Sequence, residues 1–401
     1  MNKIDNLIKR IHNAKVEYVF LSELEEKGII QLGRGKIISK DEIRNVPGDF
    51  PVYSSSSTGD GEIGRYGKYM FDDERITWSI DGGGKFFYRN NIKYSVTNVG
   101  GWLKVLNNSY INTKYLYYFL INAWATKTFN YIKKAHPSVI RDEYCIAVPP
   151  LEIQCEIVHV LDHFTLLSAE LSAELKAREK QYKEYINILL NEKNMNKYKK
   201  IKLKELFDFR NGLSKGKEFF GSGTPFVRYT DVYNKRFLHI EDINEKVNCT
   251  DKELETLKVK RGDVFFTRTS EIAEEVGYSS VMLDNIENCV FNGFTIKATP
   301  KTELLIPEYC AFCFSTDIFR QYVSTRCAFT TRASLTGKTI GEFELCVPSI
   351  QEQEKIVKQL MSLYKLVNDI SEGLPAEIEA RQKQYEYYRD KLLTFKEFGN
   401  E

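Results

Sequence analysis

The sequence predicts a mixed α+β fold in which two tandem α/β domains are joined by a pair of long antiparallel coiled-coil helices, with a pseudo-two-fold internal repeat. The segment Val148–Val158 (VPPLEIQCEIV) returns as Val347–Val357 (VPSIQEQEKIV), and Ala177–Tyr182 (AREKQY) returns as Ala380–Tyr385 (ARQKQY). A repeat of this length is domain-sized and is too long for a solenoid unit. Between the copies, short β-branched and aromatic runs are broken by Gly, Asp and Asn, which is typical of strands and turns.

The repeat divides the chain into four segments. We expect a first globular domain over residues 1–150, a first helical segment over 151–195, a second globular domain over 196–349 and a second helical segment over 350–401. The two globular regions correspond in position but not in sequence. Each half therefore predicts one globular domain followed by a helical segment.

Each helical segment carries apolar and aromatic residues at alternating steps of four and three, the a/d spacing of a coiled coil. A single such stripe is usually one helix face on a core, but two matched copies favour burial of the seams against each other. Arg178 and Arg381 occupy equivalent seam positions, where a charge needs a partner, so we expect each to fix the register or to reach a carboxylate. The predicted helix-pairing residues are Leu171, Leu175, Arg178, Tyr182, Tyr185, Leu189, Leu374, Ile378, Arg381, Tyr385, Tyr388 and Leu392.

The two helical copies differ in length. Val148 and Val347 are offset by 199 residues, whereas Ala177 and Ala380 are offset by 203, so the second copy carries four extra residues. Gly373 and Pro375 lie beside this insertion, and proline is tolerated in the first turn of a helix. We therefore expect a new helix to begin there.

Composition is that of an ordinary globular protein. The 401 residues are 42% hydrophobic and 28% charged, with a net charge of +2, which argues against a protein that merely coats nucleic acid. No run approaches about 18 uncharged apolar residues, and the first residues lack a signal-peptide apolar region, so we expect a cytoplasmic protein that does not enter membranes. The eight cysteines are irregularly spaced and predict reduced thiols.

Signatures of catalysis and metal binding are largely missing. The chain has neither the elements of an adenine methyltransferase nor a Walker A motif, and no catalytic or metal-ligating residue is predicted. Cys310 and Cys313 have the gap of a zinc half-site without a second pair, and His159 and His163 lack a third ligand. The glycine-rich Asp81–Lys85 segment could form a backbone phosphate cradle, but it is more typical of a tight hairpin turn.

Polar and basic loop residues interleaved with aromatics remain in both globular regions. Arg and Lys can contact guanine edges and phosphates, Asn can contact adenine, and Ser or Thr can contact either. Taken alone, each is more typical of an ordinary solvated surface than of a DNA contact. The candidate DNA-binding residues of the first region are Arg34, Lys36, Ser54, Ser55, Ser56, Ser57, Thr58, Lys85, Arg89, Lys133, Lys134 and Ser138. Those of the second are Lys215, Lys217, Arg228, Tyr229, Thr230, Thr267, Arg268, Thr269, Ser270, Asn292, Thr331, Arg332 and Ser334.

The repeated motifs support a family resemblance. The segment Val148–Thr165 closely resembles the central repeat of type I restriction-modification specificity subunits, and so does Leu374–Phe395 at the end of the chain. The resemblance covers essentially the whole chain, including Thr97–Gly100 in the first globular region and Gly262–Ser270 in the second. It implies that each globular region is a target recognition domain that reads one half of a split DNA site.

The resemblance also implies partners. In that family the repeat helices form a spacer that docks two modification subunits, which bind S-adenosylmethionine and methylate adenine, while restriction subunits carry out ATP-driven translocation and cleavage. For this chain it implies a non-catalytic DNA-specificity subunit that binds double-stranded DNA and holds no cofactor itself. Two alternatives are a stand-alone nucleic-acid-modifying enzyme, for which no active-site motif is present, and a helical scaffold, which leaves two loop-rich domains unexplained.

Overall fold

Short strands and helices alternate through both halves of the chain. The computed structural model describes residues 3–14, 16–55, 59–129, 133–369 and 372–396. The chain divides into two compact units: unit 1 comprises residues 1–171 and 378–401, and unit 2 comprises residues 172–377. Each predicted helical segment is therefore shared between the units. No helix in the described ranges is long and apolar enough to cross a membrane.

The elements of the first half begin with an amphipathic helix and end with the longest helix of the chain. They are α1 (Lys3–Asn13), β1 (Glu17–Phe20), α2 (Leu21–Glu26), β2 (Ile30–Arg34), α3 (Lys40–Asn45), β3 (Phe50–Tyr53), β4 (Glu62–Tyr66), β5 (Arg75–Ser79), β6 (Phe86–Arg89), β7 (Ser95–Val96), β8 (Gly100–Val105), α4 (Thr113–Trp124), α5 (Pro137–Glu143), β9 (Cys145–Val148) and α6 (Leu151–Leu189).

The second half repeats this order with additions. Its elements are α7 (Glu192–Met195), β10 (Lys199–Lys202), α8 (Leu203–Leu206), β11 (Phe207–Asn211), β12 (Phe220–Val227), α9 (Tyr229–Asn234), β13 (Phe237–Leu238), β14 (Lys246–Val247), α10 (Asp251–Leu257), β15 (Val264–Thr267), β16 (Thr269–Ser270), β17 (Ser279–Met282), β18 (Val290–Phe291), β19 (Thr295–Pro300), α11 (Pro307–Cys313), α12 (Asp317–Arg326), β20 (Ala328–Phe329), β21 (Ala333–Ser334), α13 (Gly337–Gly341), β22 (Glu344–Val347), α14 (Ile350–Asn368) and α15 (Leu374–Leu392).

The two globular regions share a sheet topology. Unit 1 contains the sheets β1–β9, β2–β8–β5–β6 and β4–β3–β7, and unit 2 contains the counterparts β10–β22, β11–β19–β15–β17–β13 and β14–β12–β18. In the third sheet of each unit the last pair, β3–β7 or β12–β18, is parallel. Unit 2 adds strand β13 and a small sheet, β16–β21–β20. The mixed α+β class and the internal repeat predicted from the sequence are confirmed.

Aromatic side chains fill both cores. Trp78 and Tyr115 are among the largest fully buried or nearly fully buried side chains of unit 1, and Phe266 and Tyr309 are among those of unit 2. Cys310 is also buried in unit 2, where desolvation raises the pKa of its thiol to about 12. A thiol with that pKa stays protonated at neutral pH and behaves as a core residue.

A buried glutamine explains one part of the repeated motif. Gln154, in the first turn of α6, is fully buried. Its side-chain carbonyl accepts the backbone N–H of Asn112 at 2.8 Å. Its amide donates to the carbonyls of Tyr110 at 3.1 Å and Pro149 at 2.8 Å. The side chain thus joins the start of α6 to the loop before α4.

The same arrangement recurs in unit 2. Gln353 is fully buried and accepts the backbone N–H of Ile306 at 3.0 Å, while its amide donates to Leu304 at 2.8 Å and Pro348 at 2.9 Å. Since a buried amide is costly unless all its groups are paired, glutamine is the side chain that these two positions need. The repeated Gln is therefore structural.

Residues of the first predicted seam pack within unit 2. Tyr182 is 7% exposed and its ring lies 6.1 Å from that of Tyr364 on α14. Leu175, Tyr185 and Leu189 pack against the same core. Arg178 pairs with Glu174, one turn earlier on its own helix, at 2.8 Å.

Residues of the second seam pack within unit 1. Tyr388 stacks on Phe164 of α6 with ring centroids 5.5 Å apart, Tyr385 is partly buried and Leu392 is fully buried. Beyond α15, the carbonyl of Phe395 accepts the Tyr18 hydroxyl of β1, whose partner strand β9 directly precedes α6. The end of α15 thus runs toward the start of α6, so the two segments are antiparallel within unit 1. Pairing of the two seams with each other stays a prediction.

The extra residues of the second copy coincide with a helix break. Helix α6 is continuous over 39 residues, whereas its counterpart ends at Asn368 and restarts at Leu374. At Gly373, a Cβ would lie 2.6 Å from the carbonyl oxygen of Asp369, so only glycine fits this turn without a shift. The predicted new helix beside Gly373 and Pro375 is confirmed.

Candidate nucleic-acid interface

A turn between β7 and β8 organises the candidate residues of unit 1. This unit 1 turn comprises residues 97–100. Its Thr97 N–H donates to the Tyr53 carbonyl at the end of β3, and the Ile80 N–H after β5 donates to the Val99 carbonyl, each at 2.9 Å. The Ile80 carbonyl in turn accepts the Ala135 N–H at 3.1 Å. Four separate chain segments therefore meet at one place.

An equivalent turn between β18 and β19 organises unit 2. This unit 2 turn comprises residues 292–295. Its Asn292 N–H donates to the Val227 carbonyl at the end of β12 at 3.0 Å, and the Arg268 N–H after β15 donates to the Phe294 carbonyl at 2.8 Å. The Arg268 carbonyl accepts the Leu335 N–H at 2.9 Å. The backbone network is the same as in unit 1, although the side chains differ.

Four predicted residues of unit 1 gather round its turn. The Thr97 hydroxyl hydrogen-bonds Ser54 at 2.8 Å, and Ser55 accepts the Asp81 N–H at 3.0 Å and donates to the Val99 carbonyl. The Arg34 guanidinium donates to the Asn98 carbonyl at 2.6 Å. Lys134 pairs with Asp81 at 3.0 Å.

The remaining predicted residues of unit 1 lie in varied surroundings. Lys36 and Ser138 are exposed, Lys85 is partly exposed with its ammonium 5.5 Å from the centre of the Phe87 ring, and Lys133 pairs with Glu143. Ser56, Ser57 and Thr58 lie outside the described residues. The Asp81–Lys85 segment is the hairpin turn between β5 and β6, and the Asp81, Gly82 and Gly84 N–H groups donate to Ser55 and Ser79. The hairpin interpretation is confirmed, and those three groups have protein acceptors.

Arg89 lies inside unit 1. It is 6% exposed, its guanidinium lies 3.4 Å from the centre of the Tyr53 ring, and it donates to the Asp60 carbonyl. Burial lowers its pKa. A guanidinium held between protein groups in this way supports the sheet, so Arg89 is not among the contacts that we propose below.

Predicted residues of unit 2 converge on its turn in the same way. The Arg268 guanidinium donates to the Gly293 carbonyl at 3.3 Å, and the Asn292 side-chain carbonyl accepts the Phe294 N–H at 2.6 Å. Thr269 and Ser270 form β16, which pairs with β21 at Ser334 and Ala333. Tyr229 is half-buried, and its ring stacks on that of Tyr233 with centroids 6.0 Å apart. The fold therefore brings together predicted residues from separate strands that lie far apart in the sequence.

Other predicted residues of unit 2 are engaged by carboxylates or are exposed. Arg228 pairs with Asp231 at 2.7 Å, Lys215 with Glu253 at 2.9 Å and Arg332 with Glu271 at 3.3 Å. Among the remaining predicted residues of unit 2, Lys217, Thr230 and Thr331 are exposed. Thr267 is fully buried.

Carboxylates neutralise many of the candidate cations, in keeping with the small net charge of the chain. Five of the candidate cations, however, have no carboxylate partner among the described residues. A cation without an acidic partner can neutralise a phosphate without first losing an ion pair. These five are Arg34, Lys36 and Lys85 in unit 1 and Lys217 and Arg268 in unit 2.

Sequence reasoning missed exposed apolar side chains beside these groups. Phe294 in the unit 2 turn is 57% exposed, and Phe329 in β20 is 60% exposed. Ile37, next to Lys36, is 79% exposed. Apolar side chains can contact thymine methyl groups or stack on bases. The signal available in the sequence was the position of Phe294 two residues after Asn292 in a glycine-containing turn.

Comparisons with known proteins give the family. A model of the type I restriction modification DNA specificity domain matches residues 15–178 and 195–380. A Mycoplasma pneumoniae protein assigned as a type I specificity subunit is 30% identical over 385 residues, which cover 92% of this chain and 96% of that one. The specificity subunit of an Escherichia coli type I restriction enzyme is 34% identical over 253 residues, 61% of this chain and 60% of that one.

A solved structure shares the fold. The S subunit of a type I restriction-modification system from M. genitalium matches with a TM-score of 0.55, covering 96% of this chain and 97% of that chain at 15% identity. With two matched domains, a relative that is similar over nearly its whole length and a common fold, this chain belongs to the type I restriction-modification DNA specificity family.

Proposed function

We propose that this chain is the DNA-specificity subunit of a type I restriction-modification complex, and that each unit reads one half of a split site in double-stranded DNA. The observation that carries the proposal is the pair of equivalent turns. Both are held by the same backbone hydrogen bonds, but they present different side chains. A common scaffold with different surface groups is what two readers of different base sequences require.

Equivalent positions differ in chemistry. Ser54 follows β3 and Arg228 follows β12, and the last carbonyl of each of these strands accepts the first N–H of the turn in its unit. Within the turns, Val99 corresponds to Phe294. A hydroxyl and a guanidinium make different contacts with base edges, because Arg favours the two guanine acceptors whereas Ser contacts several bases. The unpaired lysines, Lys36, Lys85 and Lys217, would contact phosphates and fix the position of each unit on the duplex, whereas Arg34 and Arg268 beside the turns would contact base edges.

The helices would serve the rest of the complex. We propose that they set the distance between the two half-sites and dock two modification subunits, with exposed His159 and His163 of α6 on a face available to partners. S-adenosylmethionine and ATP would be bound by the modification and restriction subunits, and this chain would contribute no catalytic group. Such a complex would act on cytoplasmic DNA.

Reconstitution tests this function. The full chain is purified alone and together with a type I modification subunit from the same organism, and each sample is assayed for S-adenosylmethionine-dependent adenine methylation of genomic DNA. We expect methylation only from the complex, at a single split sequence. Methylation by the chain alone would make it an enzyme, and methylation by the complex without sequence preference would leave it a scaffold.

A further inference from the structure

Unit 2 contains a cavity that is not part of its turn surface. Its volume is about 720 Å³, within the range of about 300–1,000 Å³ that is typical of small-molecule sites. The walls come from α6, from the end of α9 and from α12 and α14, all within unit 2. Two of the lining side chains have a buried donor without an acceptor, and a third is an arginine without a carboxylate partner among the described residues. These three side chains indicate what the cavity binds.

Arg236 is the first of these side chains. Its Nη1 donates to the Ser315 hydroxyl at 2.6 Å, and no carboxylate among the described residues pairs with the guanidinium. The rings of Tyr182 and Tyr364 lie 5.4 Å and 5.8 Å from its central carbon. Burial lowers its pKa, yet an arginine remains charged at neutral pH. An aromatic surround without a carboxylate leaves a positive charge that an anion can neutralise.

Tyr182 and Arg320 supply further donors. Tyr182 is 7% exposed, and its hydroxyl has no hydrogen-bond partner in the described structure. Nη1 of Arg320 is also buried without an acceptor, whereas Nη2 donates to the Glu274 carbonyl. A buried donor without an acceptor destabilises a protein, so such groups are rare without a reason. Tyr182 and Arg320 thus each place one buried donor without an acceptor at this cavity, and Arg236 adds a guanidinium without a carboxylate partner among the described residues.

Charge and shape narrow the class of ligand. Among the lining cations, Lys183 pairs with Asp317 at 3.3 Å and Lys235 pairs with Asp242, which leaves the two arginines, Arg236 and Arg320, against the single carboxylate of Glu274. The cavity is therefore positive overall, which favours an anion. Tyr233, Tyr278 and Tyr364 add aromatic surface, to which a planar ring can bind by stacking. Guanidinium groups are well suited to phosphate because their N–H donors match its oxygens.

We propose that this cavity binds a small phosphate-bearing ligand with a planar ring, of the size of a mononucleotide. The phosphate would accept hydrogen bonds from Arg236, Arg320 and the Tyr182 hydroxyl, and the ring would lie against the tyrosines. This site is separate from the turn surface that we propose for DNA, so either proposal can fail without the other.

Calorimetric titration of the full chain tests the site. The probes are AMP, GMP, CMP and UMP, with adenosine and inorganic phosphate for comparison. We expect at least one mononucleotide to bind in the micromolar to millimolar range, more tightly than inorganic phosphate, and adenosine to bind least. If no mononucleotide binds, or if adenosine binds as tightly as AMP, the proposal is overturned.

Two variants and a matched control locate the binding. Tyr182→Phe removes only a hydroxyl without a protein partner, so we expect the melting temperature of the ligand-free protein to stay the same or rise. We expect the affinity for the mononucleotide to fall about tenfold, because the loss of one hydrogen bond of about 1.4 kcal/mol has that effect. Arg236→Gln should abolish binding. Arg44→Gln changes an exposed arginine of unit 1 and should leave affinity unchanged. Unchanged affinity in a folded Tyr182→Phe variant, or displacement of the nucleotide by a DNA duplex, would overturn the proposal.

Discussion

The hydroxyl of Thr267 accepts the backbone N–H of Tyr278 at 2.9 Å and donates to the carbonyl of Glu275 at 2.8 Å. Thr267 is fully buried at the end of β15, one residue before Arg268. Thr267 was predicted from its residue type to contact DNA, but its hydroxyl instead stabilises the loop that precedes β17. Substitution of Thr267 should therefore change the stability of the protein, whereas substitution of its partly exposed neighbours should change DNA recognition.

Replacing Thr267 with valine keeps the shape but removes the hydroxyl. The Tyr278 N–H and the Glu275 carbonyl then lose their partner, and we expect the free energy of unfolding to fall by about 1–3 kcal/mol. Denaturant titration of the purified chain measures this loss. Thr267→Ser is the matched control, because it retains both hydrogen bonds. If the Thr267→Val and Thr267→Ser variants are equally stable, the hydroxyl does not stabilise this loop.

The two buried glutamines give a paired prediction. Gln154→Leu and Gln353→Leu each leave one N–H and two carbonyls without a partner, so we expect each to cost about 2–5 kcal/mol, given about 1–3 kcal/mol for each unpaired group and partial relaxation. Gln→Glu at either position should be similarly harmful, because a carboxylate cannot donate to the two carbonyls. Thermal melting of the variants checks this. A loss confined to one repeat would contradict the structural equivalence of the two sites.

Helix α6 offers a test of the proposed spacer. It runs without interruption from unit 1 into unit 2, and its counterpart has four extra residues at the corresponding place. Duplicating Leu171–Glu174 adds four helical residues, or about 6 Å at about 1.5 Å per residue. At about 3.4 Å per base pair, we expect the unread spacer to lengthen by about one to two base pairs while the half-sites stay the same. Mapping the adenines that the variant complex methylates measures the spacer between the half-sites. An unchanged spacer would show that α6 does not set the distance between the two half-sites.

The sequence predicted those features that a local pattern encodes. The duplicated motif carried Gln154 and Gln353, and the four-residue offset with Gly373 indicated the helix break. The common topology of the globular regions could not be predicted, because it depends on backbone hydrogen bonds at the two turns, which are compatible with many side chains. Residue type also could not separate buried Arg89 and Thr267 from exposed Lys36 and Lys217, since burial is decided by strand pairing far along the chain.

The central claim is that each unit reads its own half-site, and the two arginines that hydrogen-bond the middle of each turn test it most directly. Arg34 and Arg268 each donate to the carbonyl of the equivalent turn residue, Asn98 or Gly293, and neither has a carboxylate partner among the described residues. Arg34→Ala and Arg268→Ala are each assembled with the modification subunit, with Arg44→Ala as an exposed control, and methylated adenines are mapped across a genome. The account predicts that Arg268→Ala relaxes recognition in one half-site only, that Arg34→Ala relaxes only the other, and that the control leaves both intact. Equal loss in both halves from either variant would contradict it.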